Sequence, residues 1–281
     1  MISKVAEHNI KCNGVNINYV DEGQGQTMLF LHNGGGFWQT WSKQIEHFSK
    51  NYRVIALDWP SFGKSELSDL DLNLGMYTDT LTDFIDSLKL DNILLFGNCV
   101  GAAACIKYTI ANPDKISKLI VFNVCPGERL VKKKFGRWLL KIVERGNVAR
   151  RIIRPCLNLL FVKSPLKKRF PGILFHDSFS ESDPIFKMYQ AKLKEKRQTK
   201  GRIDLLFAVF SFSLHRYYDA PIPVPMMLFW GDNNKVSSYE EDGTFFEEQL
   251  NIKAEVIKGS GHLGMYEQSL YVNKQITAYI A

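Results

Sequence analysis

The chain has 281 residues, of which 45% are apolar and 23% charged, a composition typical of a folded globular protein and not of a disordered one. No run approaches the roughly 18 uncharged apolar residues of a membrane-spanning helix, which argues against an integral membrane protein. The first residues hold no apolar segment followed by a small-residue cleavage site, so we expect no secretory leader. Five cysteines are too few for a disulfide scaffold, which favours a reduced, cytoplasmic setting.

The net charge of +7 is distributed unevenly along the chain. Residues 127–221 contain 22 Lys and Arg against 8 Asp and Glu, whereas the rest of the chain contains 14 against 21. The sequence therefore describes a mildly acidic body with a strongly basic middle. Such an asymmetry predicts an anionic partner for the middle segment.

Short apolar runs recur along the chain and predict β-strands. Taken in order, they cover residues 16–20, 27–31, 52–57, 93–96, 118–124, 226–230 and 254–257. Helical spacing is found at residues 41–48, 102–110, 239–250 and 266–280. Apolar strands that alternate with helices predict a parallel sheet covered by helices on both faces.

The alternation is interrupted once, after Pro126. From residue 129 to residue 218 the pattern is mostly helical, basic and aromatic, and Pro221–Pro225 precedes the next strand. We predict an α/β core formed by residues 1–126 and 222–281, with a basic helical cap at residues 127–221.

A G-x-C-x-G sequence follows the strand at residues 93–96 and precedes a predicted helix. A sharp strand-to-helix turn holds its middle residue in a strained conformation, and the neighbours two positions away, Gly97 and Gly101, must be small. The helix N-terminus supplies N–H groups and a partial positive charge, which lowers the pKa of a thiol. This pattern predicts Cys99 as a nucleophile, whereas Cys105 and Cys125 are interpreted as small buried apolar residues.

Together with four other motifs, this segment resembles the α/β-hydrolase superfamily, in a subgroup with cysteine at the nucleophile position. The motifs are YVDEG at residues 19–23, HNGG at 32–35, DWPSFGKS at 58–65, GNCVG at 97–101 and GH at 261–262. The resemblance covers nearly the whole chain. It implies an α/β fold with a mostly parallel eight-stranded sheet and a helical cap inserted after strand six.

The resemblance also implies a catalytic triad, from which this chain departs at two positions. Cysteine replaces serine at Cys99, and the position after strand seven that usually holds aspartate holds Asn234. A thiolate paired with imidazolium needs orientation of the base more than charge, and Cys-His-Asn triads occur in papain-like proteases. We therefore predict Cys99 as nucleophile, His262 as base and then acid, and Asn234 as the residue that orients His262. Three alternative orienters remain, namely Asp232, Asn123 and Glu128.

The same resemblance places the oxyanion donors at the backbone N–H groups of Val100 and Gly34. It also implies that His32 and Asn33 support the Gly34 loop through hydrogen bonds. No His, Cys, Asp or Glu cluster has metal-ligand spacing, and the glycines of the loop are not followed by Lys-Ser/Thr, so we expect neither a metal nor another cofactor.

These features predict an acyl-transfer enzyme that acts on a thioester or ester through an acyl-Cys99 intermediate. The basic clusters at residues 132–134, 150–151 and 167–169 predict a substrate carried on an acidic carrier protein or on coenzyme A, or contact with an anionic membrane. Nucleic acid is disfavoured because the body is acidic and no binding module is present. The alternatives are a ligand-binding or membrane-surface protein without catalysis, and a cofactor-free lyase that uses His262 as base.

Overall fold

The computed structural model describes residues 5–69, 71–131, 138 and 171–281. One sheet is built from eight strands: β1 Glu7–Cys12, β2 Val15–Glu22, β3 Thr27–Leu31, β4 Arg53–Leu57, β5 Ile93–Asn98, β6 Ile116–Phe122, β7 Met226–Gly231 and β8 Ala254–Ile257. Their order is β1-β2-β4-β3-β5-β6-β7-β8, and only the pairings that β2 makes with β1 and β4 are antiparallel. The predicted mostly parallel eight-stranded sheet is confirmed.

Helices cover both faces of this sheet. Within the described residues they are α1 Ser42–Phe48, α2 Leu74–Ser87, α3 Val100–Ala111, α4 Pro184–Lys192, α5 Lys196–Phe207, α6 Thr244–Leu250, α7 Gly264–Glu267 and α8 Ser269–Ile280. Successive residues of β3 point to opposite faces, so that Leu29 and Leu31 belong to one apolar cluster and Met28 and Phe30 to another. Burial on both faces explains why the central strands appear in the sequence as continuous apolar runs.

The structure differs from the sequence pattern in three elements. Strand β1 was not predicted, because it lies at the sheet edge and its sequence EHNIKC is mostly polar and partly exposed. Helix α2 was not predicted either, although Asn73 caps it by accepting the N–H of Met76 at 2.9 Å. The single helix expected at residues 266–280 is two helices, which are separated by Gln268.

Between β6 and β7 the described residues form helical segments and no strand. Helix α4 begins after Asp183, whose side chain accepts the N–H of Ile185, and its first residue is Pro184. The basic clusters at residues 132–134, 150–151 and 167–169 lie outside the described residues, and the boundaries of the cap stay a prediction. Over the part of the chain that the structure describes, none of the helices has the length and apolar character needed to cross a membrane.

Candidate active site

Cys99 lies at the turn between β5 and α3. Its backbone has φ 56° and ψ −111°, a left-handed conformation that L-residues adopt at a cost in strain. A Cβ placed on Gly97 would lie 2.6 Å from the backbone N of Ala102, and a Cβ on Gly101 would lie 2.5 Å from the carbonyl oxygen of Leu31. Both neighbours must therefore be glycine for the turn to close, and the turn places Cys99 at the carboxyl edge of the sheet.

His262 follows β8 and reaches the same edge of the sheet. Its backbone N–H donates to the carbonyl of Leu174 at 2.8 Å, and its own carbonyl accepts the side-chain amides of Asn98 and Asn123, each at 3.1 Å. The imidazole is almost completely buried, and its Nδ1 lies 3.2 Å from Oδ1 of Asn234. His262 also hydrogen-bonds to Cys99, so the structure brings Cys99, His262 and Asn234 together.

The hydrogen-bond partners of the Asn234 side chain show which of its amide atoms is the oxygen and which is the nitrogen. Its Oδ1 accepts the N–H groups of Val236 at 3.1 Å and Ser237 at 3.2 Å, while its Nδ2 donates to Oδ1 of Asn123 at 3.0 Å. Oδ1 of Asn234 is therefore the atom that faces His262, and it requires a proton on Nδ1 of the imidazole. This tautomer leaves Nε2 of His262 available to Cys99.

A chain of three buried amides extends behind the histidine. Asn123, which has a left-handed φ of 44°, accepts the backbone N–H of Gly231 through Oδ1 and donates through Nδ2 to Oδ1 of Asn98 at 3.3 Å. Asn98, Asn123 and Asn234 are thus linked in series by neutral groups at the ends of β5, β6 and β7. Asn123, one of the alternative orienters, therefore contacts the carbonyl of His262 and not its imidazole, and Asn98 joins the same network although no motif in the sequence indicated it.

The two carboxylates considered as orienters are engaged elsewhere. Asp232 accepts the backbone N–H of Ser260 at 3.1 Å through Oδ1 and so holds the loop after β8. Glu128 lines a second cavity together with Arg129 and Phe245, away from the cavity that contains Cys99. In the hydrogen bonds of the structure, the side-chain partner of Nδ1 of His262 is Asn234.

The thiol of Cys125 lies beside Cys99, a contact that no motif in the sequence indicates. A hydrogen bond from Cys125 lowers the pKa of Cys99 well below its usual range against the opposing effect of burial, and His262 and the backbone N–H of Gly34 lower it further. The hydrogen bond to Cys99, together with burial, raises the pKa of Cys125 well above its usual range, so Cys125 stays a thiol and can donate. Cys125 is buried in the apolar core, as the sequence predicted, and it is also a neighbour of the nucleophile, because β5 pairs with β6 and the backbone N–H of Cys125 donates to the carbonyl of Cys99 at 3.2 Å.

We expect Cys125→Ala to shift the pH profile of Cys99 alkylation to higher pH. The loss of a charge-assisted hydrogen bond, typically about 1.5–3 kcal/mol, should slow alkylation at pH 6 by about tenfold or more. Cys125→Ser keeps a donor and should stay close to wild type. The measurement is the rate at which iodoacetamide alkylates Cys99 as a function of pH, with peptide mass spectrometry to distinguish Cys99 from the other cysteines. Cys105→Ala, a buried thiol on α3, is the matched control, and a wild-type profile in Cys125→Ala would contradict the assigned hydrogen bond.

The loop after β3 is fixed by hydrogen bonds next to the nucleophile. Nδ1 of His32 donates to the carbonyl of Asn33 at 2.7 Å, and Nε2 accepts the backbone N–H of Trp59 at 2.9 Å. Burial lowers the pKa of His32 to about 3, so it remains neutral and supports the loop. Oδ1 of Asn33 accepts the hydroxyl of Tyr189 at 3.1 Å. The N–H of Gly34 then faces Cys99, as an oxyanion donor requires.

Val100 begins α3, and its N–H belongs to the helix start, where intrahelical acceptors are lacking. Val100, Gly34, Cys99 and His262 all line a cavity of about 240 Å³. The rest of its wall is mostly apolar and includes Leu130, Ile173, Leu205, Leu206, Val209 and Phe212. Within residues 5–69, 71–131, 138 and 171–281, no cluster of His, Cys, Asp or Glu is arranged to hold a metal ion.

Asn234→Asp should destabilise the protein, although it introduces the aspartate that usually occupies this position of the triad. The new carboxylate oxygen would replace Nδ2, which lies 3.0 Å from Oδ1 of Asn123, and Asn123 cannot turn without losing its bond from Gly231. Two buried oxygens in contact should lower the free energy of unfolding by about 1–3 kcal/mol at pH 7. Denaturant unfolding measures this loss, with the exposed Asn9→Asp as control. Wild-type stability in Asn234→Asp would mean that the amide orientation is incorrect.

Comparison with known proteins agrees with this architecture. A profile described as Alpha/beta hydrolase family matches residues 28–274. The (E)-2-((N-methylformamido)methylene)succinate hydrolase of Acinetobacter baylyi is 31% identical over 123 residues, which are 44% of this chain and 46% of that protein. The 2-hydroxy-6-oxononadienedioate/2-hydroxy-6-oxononatrienedioate hydrolase of Escherichia coli O81 is 23% identical over 94% of this chain and 91% of its own length.

Solved structures give the same result for the fold. An epoxide hydrolase from Vigna radiata superposes with a TM-score of 0.75 at 19% identity, and the match covers 100% of this chain and 99% of that one. The match to the Acinetobacter baylyi hydrolase covers less than half of that protein's length. The family profile spans most of the chain, from β3 to α8, and the sheet order is the one described above. The chain therefore belongs to the alpha/beta hydrolase family.

Proposed function

We propose that the protein is a cysteine-nucleophile acyl-transfer enzyme that acts on a thioester or ester through an acyl-Cys99 intermediate. The observation that carries the proposal is the position of Cys99 at the wall of an apolar cavity, in contact with Cys125, His262 and the N–H of Gly34, contacts that lower the pKa of its thiol. A thiolate is the nucleophilic form of cysteine, and an apolar cavity suits an acyl chain. Asn234 supports the proposal because it holds the imidazole in the tautomer that serves Cys99.

In the acylation step, the thiolate of Cys99 attacks the carbonyl carbon of the substrate and a carbon–sulfur bond forms. The carbonyl oxygen becomes an oxyanion, which the N–H groups of Gly34 and Val100 are placed to accept. The intermediate collapses as the bond to the leaving thiolate or alkoxide breaks. The leaving group takes a proton from His262, so that acyl-Cys99 and a neutral imidazole remain.

In the second step, His262 takes a proton from the acceptor as the acceptor attacks acyl-Cys99. The carbon–sulfur bond breaks, the product leaves, and the thiolate–imidazolium pair forms again. The relatives named above are hydrolases, which favours water as the acceptor. An amine, alcohol or carbanion acceptor would use the same acyl-enzyme.

Intact-protein mass spectrometry tests the covalent intermediate. The protein is mixed with acetyl, butyryl and hexanoyl thioesters of N-acetylcysteamine and quenched in acid after milliseconds to minutes. We expect a mass increase of one acyl group on wild type and on Cys105→Ala, and none on Cys99→Ala. Absence of the adduct on wild type, or its persistence in Cys99→Ala, would falsify the proposal. If the protein turns over substrate without forming an adduct, and Cys99→Ala keeps this turnover, the result would favour lyase chemistry with His262 as base.

The carrier of the acyl group is proposed from charge. Residues 127–221 carry 22 basic and 8 acidic residues, which favours the phosphates of coenzyme A or an acidic carrier protein over a neutral thiol. Butyryl-coenzyme A should therefore react with a lower KM than butyryl-N-acetylcysteamine, and added salt should reduce the difference. Equal KM values for the two butyryl thioesters at low salt would exclude this role of the basic segment. If the protein bound anionic vesicles instead, a membrane surface would be the favoured partner.

A further inference from the structure

The cavity that contains the nucleophile is lined by a second thiol. Cys99 and Cys125 both contribute to its wall, so a small reagent that enters the cavity meets the two residues together. Their side chains are in hydrogen-bond contact, and the sulfur of Cys125 also accepts the backbone N–H of Gly127, which holds it next to Cys99. Among the cysteines that the structure describes, only this pair lines the cavity.

The backbone holds these two residues at a separation that a disulfide can span. The N–H of Cys99 donates to the carbonyl of Phe122 at 3.0 Å, and the carbonyl of Cys99 accepts the N–H of Cys125 at 3.2 Å. Standard bond lengths place the Cα atoms of two residues joined in this way within about 7 Å of each other. Disulfides join Cα atoms that are about 4.4–6.8 Å apart. Because the two side chains already meet, closing a sulfur–sulfur bond requires movement of side chains more than of the backbone.

We infer that Cys99 and Cys125 form a disulfide when the protein meets a peroxide, and that this bond blocks the nucleophile reversibly. In the first step the thiolate of Cys99 attacks an oxygen of hydrogen peroxide. A sulfur–oxygen bond forms, the oxygen–oxygen bond breaks, and the departing hydroxide takes a proton from His262 to give water. In the second step the sulfur of Cys125 attacks the sulfenic acid of Cys99. The sulfur–sulfur bond forms, the sulfur–oxygen bond breaks, and the hydroxide leaves as water with the thiol proton of Cys125. The two sulfurs together lose two electrons, and the peroxide is reduced to two water molecules.

The surroundings of the two thiols suit these unequal roles. Contacts with Cys125, His262 and the N–H of Gly34 lower the pKa of Cys99, and the thiolate is the form that peroxide oxidises. Cys99 in turn raises the pKa of Cys125, which keeps the second sulfur as a thiol while the first carries the charge. Oxidation of Cys99 removes that charge, so this effect on the pKa of Cys125 ends at the stage where Cys125 must attack.

Peptide mapping of the oxidised wild-type protein tests the disulfide without any variant. The folded protein is treated with hydrogen peroxide, the remaining thiols are blocked with N-ethylmaleimide in denaturant, and the tryptic peptides are analysed without reduction. We expect a link between Cys99 and Cys125 that dithiothreitol removes, whereas the same chain oxidised in urea should give a mixture of pairings. Cys99 and Cys105 share a tryptic peptide, so fragmentation spectra identify the linked sulfur. Absence of the Cys99–Cys125 link from the folded protein, or a preference of Cys99 for another cysteine, would overturn the inference.

Cys125→Ser distinguishes the hydrogen bond that Cys125 donates from the disulfide that it forms. Serine keeps a donor beside the Cys99 thiolate but cannot form a sulfur–sulfur bond. After peroxide and then dithiothreitol, wild type and the matched control Cys105→Ala should recover a Cys99 that iodoacetamide alkylates. Cys125→Ser should instead lose recoverable Cys99 about fivefold faster or more, as the sulfenic acid is oxidised onward to the sulfinic acid. Equal recovery in Cys125→Ser and wild type would contradict this role of Cys125.

The disulfide and the proposed function can fail separately, because the oxidation does not require acyl transfer. Acyl adducts on a protein that forms no Cys99–Cys125 link would defeat this inference alone. A Cys99–Cys125 link in a protein that forms no acyl adduct would defeat only the proposed function.

Discussion

Cys99→Ser is expected to lower the rate of acyl transfer by about three to four orders of magnitude, although serine is nearly isosteric with cysteine. A serine hydroxyl must lose its proton during attack, and the imidazolium that forms is stabilised in serine enzymes by a carboxylate. Replacing that carboxylate by asparagine in a serine triad costs about 10⁴ in rate. Here the group on Nδ1 of His262 is the neutral amide of Asn234. The hydrogen bond from Cys125 also acts on a thiolate, which serine does not provide.

The measurement is single-turnover release of thiol from a thioester, with Cys99→Ala as the baseline. Thermal unfolding shows whether Cys99→Ser is folded, and we expect it to match wild type within about 1 kcal/mol because the turn and its two glycines are unchanged. A Cys99→Ser enzyme within tenfold of wild type would show that a neutral orienter suffices for a hydroxyl nucleophile, and the link between Cys99 and Asn234 would be lost.

Gly101→Ala should destabilise the protein by about 3 kcal/mol or more, enough to prevent folding at 37 °C if the wild type is of ordinary stability. The new methyl would lie 2.5 Å from the carbonyl oxygen of Leu31 and 2.8 Å from that of His32. Both contacts are with backbone of a central strand and of the loop behind it, so neither can be relieved by rotating a side chain. Helix α3 would have to move away from β3, and the oxyanion loop would move with it.

The cost of the clash is measured by comparing the denaturant unfolding of Gly101→Ala with that of Gly172→Ala. A Cβ on Gly172 meets nothing within 4 Å, so alanine there should change the stability by less than about 1 kcal/mol. If Gly101→Ala does not accumulate as folded protein, the protease resistance of the two variants can be compared by limited proteolysis in cell lysate. Equal stabilities of the two variants would contradict the close packing of α3 on β3.

Much of the fold was predictable because each central strand carries its own apolar run, which can be recognised without knowing its neighbours in the sheet. The apolar runs of β3 and β8 have the bounds that the sequence suggested, since both faces of these strands are buried or partly buried. The edge strand β1 was not predictable from such runs, because an edge strand with a polar sequence carries no continuous apolar signal. Helix α2 follows the capping residue Asn73, a short-range signal of a helix start that the sequence does contain.

The site was less accessible to sequence reasoning, because its contacts join residues that are distant along the chain. Spacing alone cannot separate Asn234 from Asp232, which follow the same strand and point to different partners. The position of Cys125 beside Cys99 depends on the pairing of β5 with β6.

The three linked amides have a consequence for the charge of the site during a catalytic cycle. A neutral amide does not titrate, so in the proposed cycle the counter-charge to an imidazolium at His262 would come from the thiolate of Cys99 and not from its orienter. In that cycle, acylation would remove the negative charge and the proton would leave with the departing group, so both charges would disappear in one step. Deacylation would restore both. Such a triad would have no net charge before or after acylation, whereas a triad with a carboxylate keeps a net negative charge in both states.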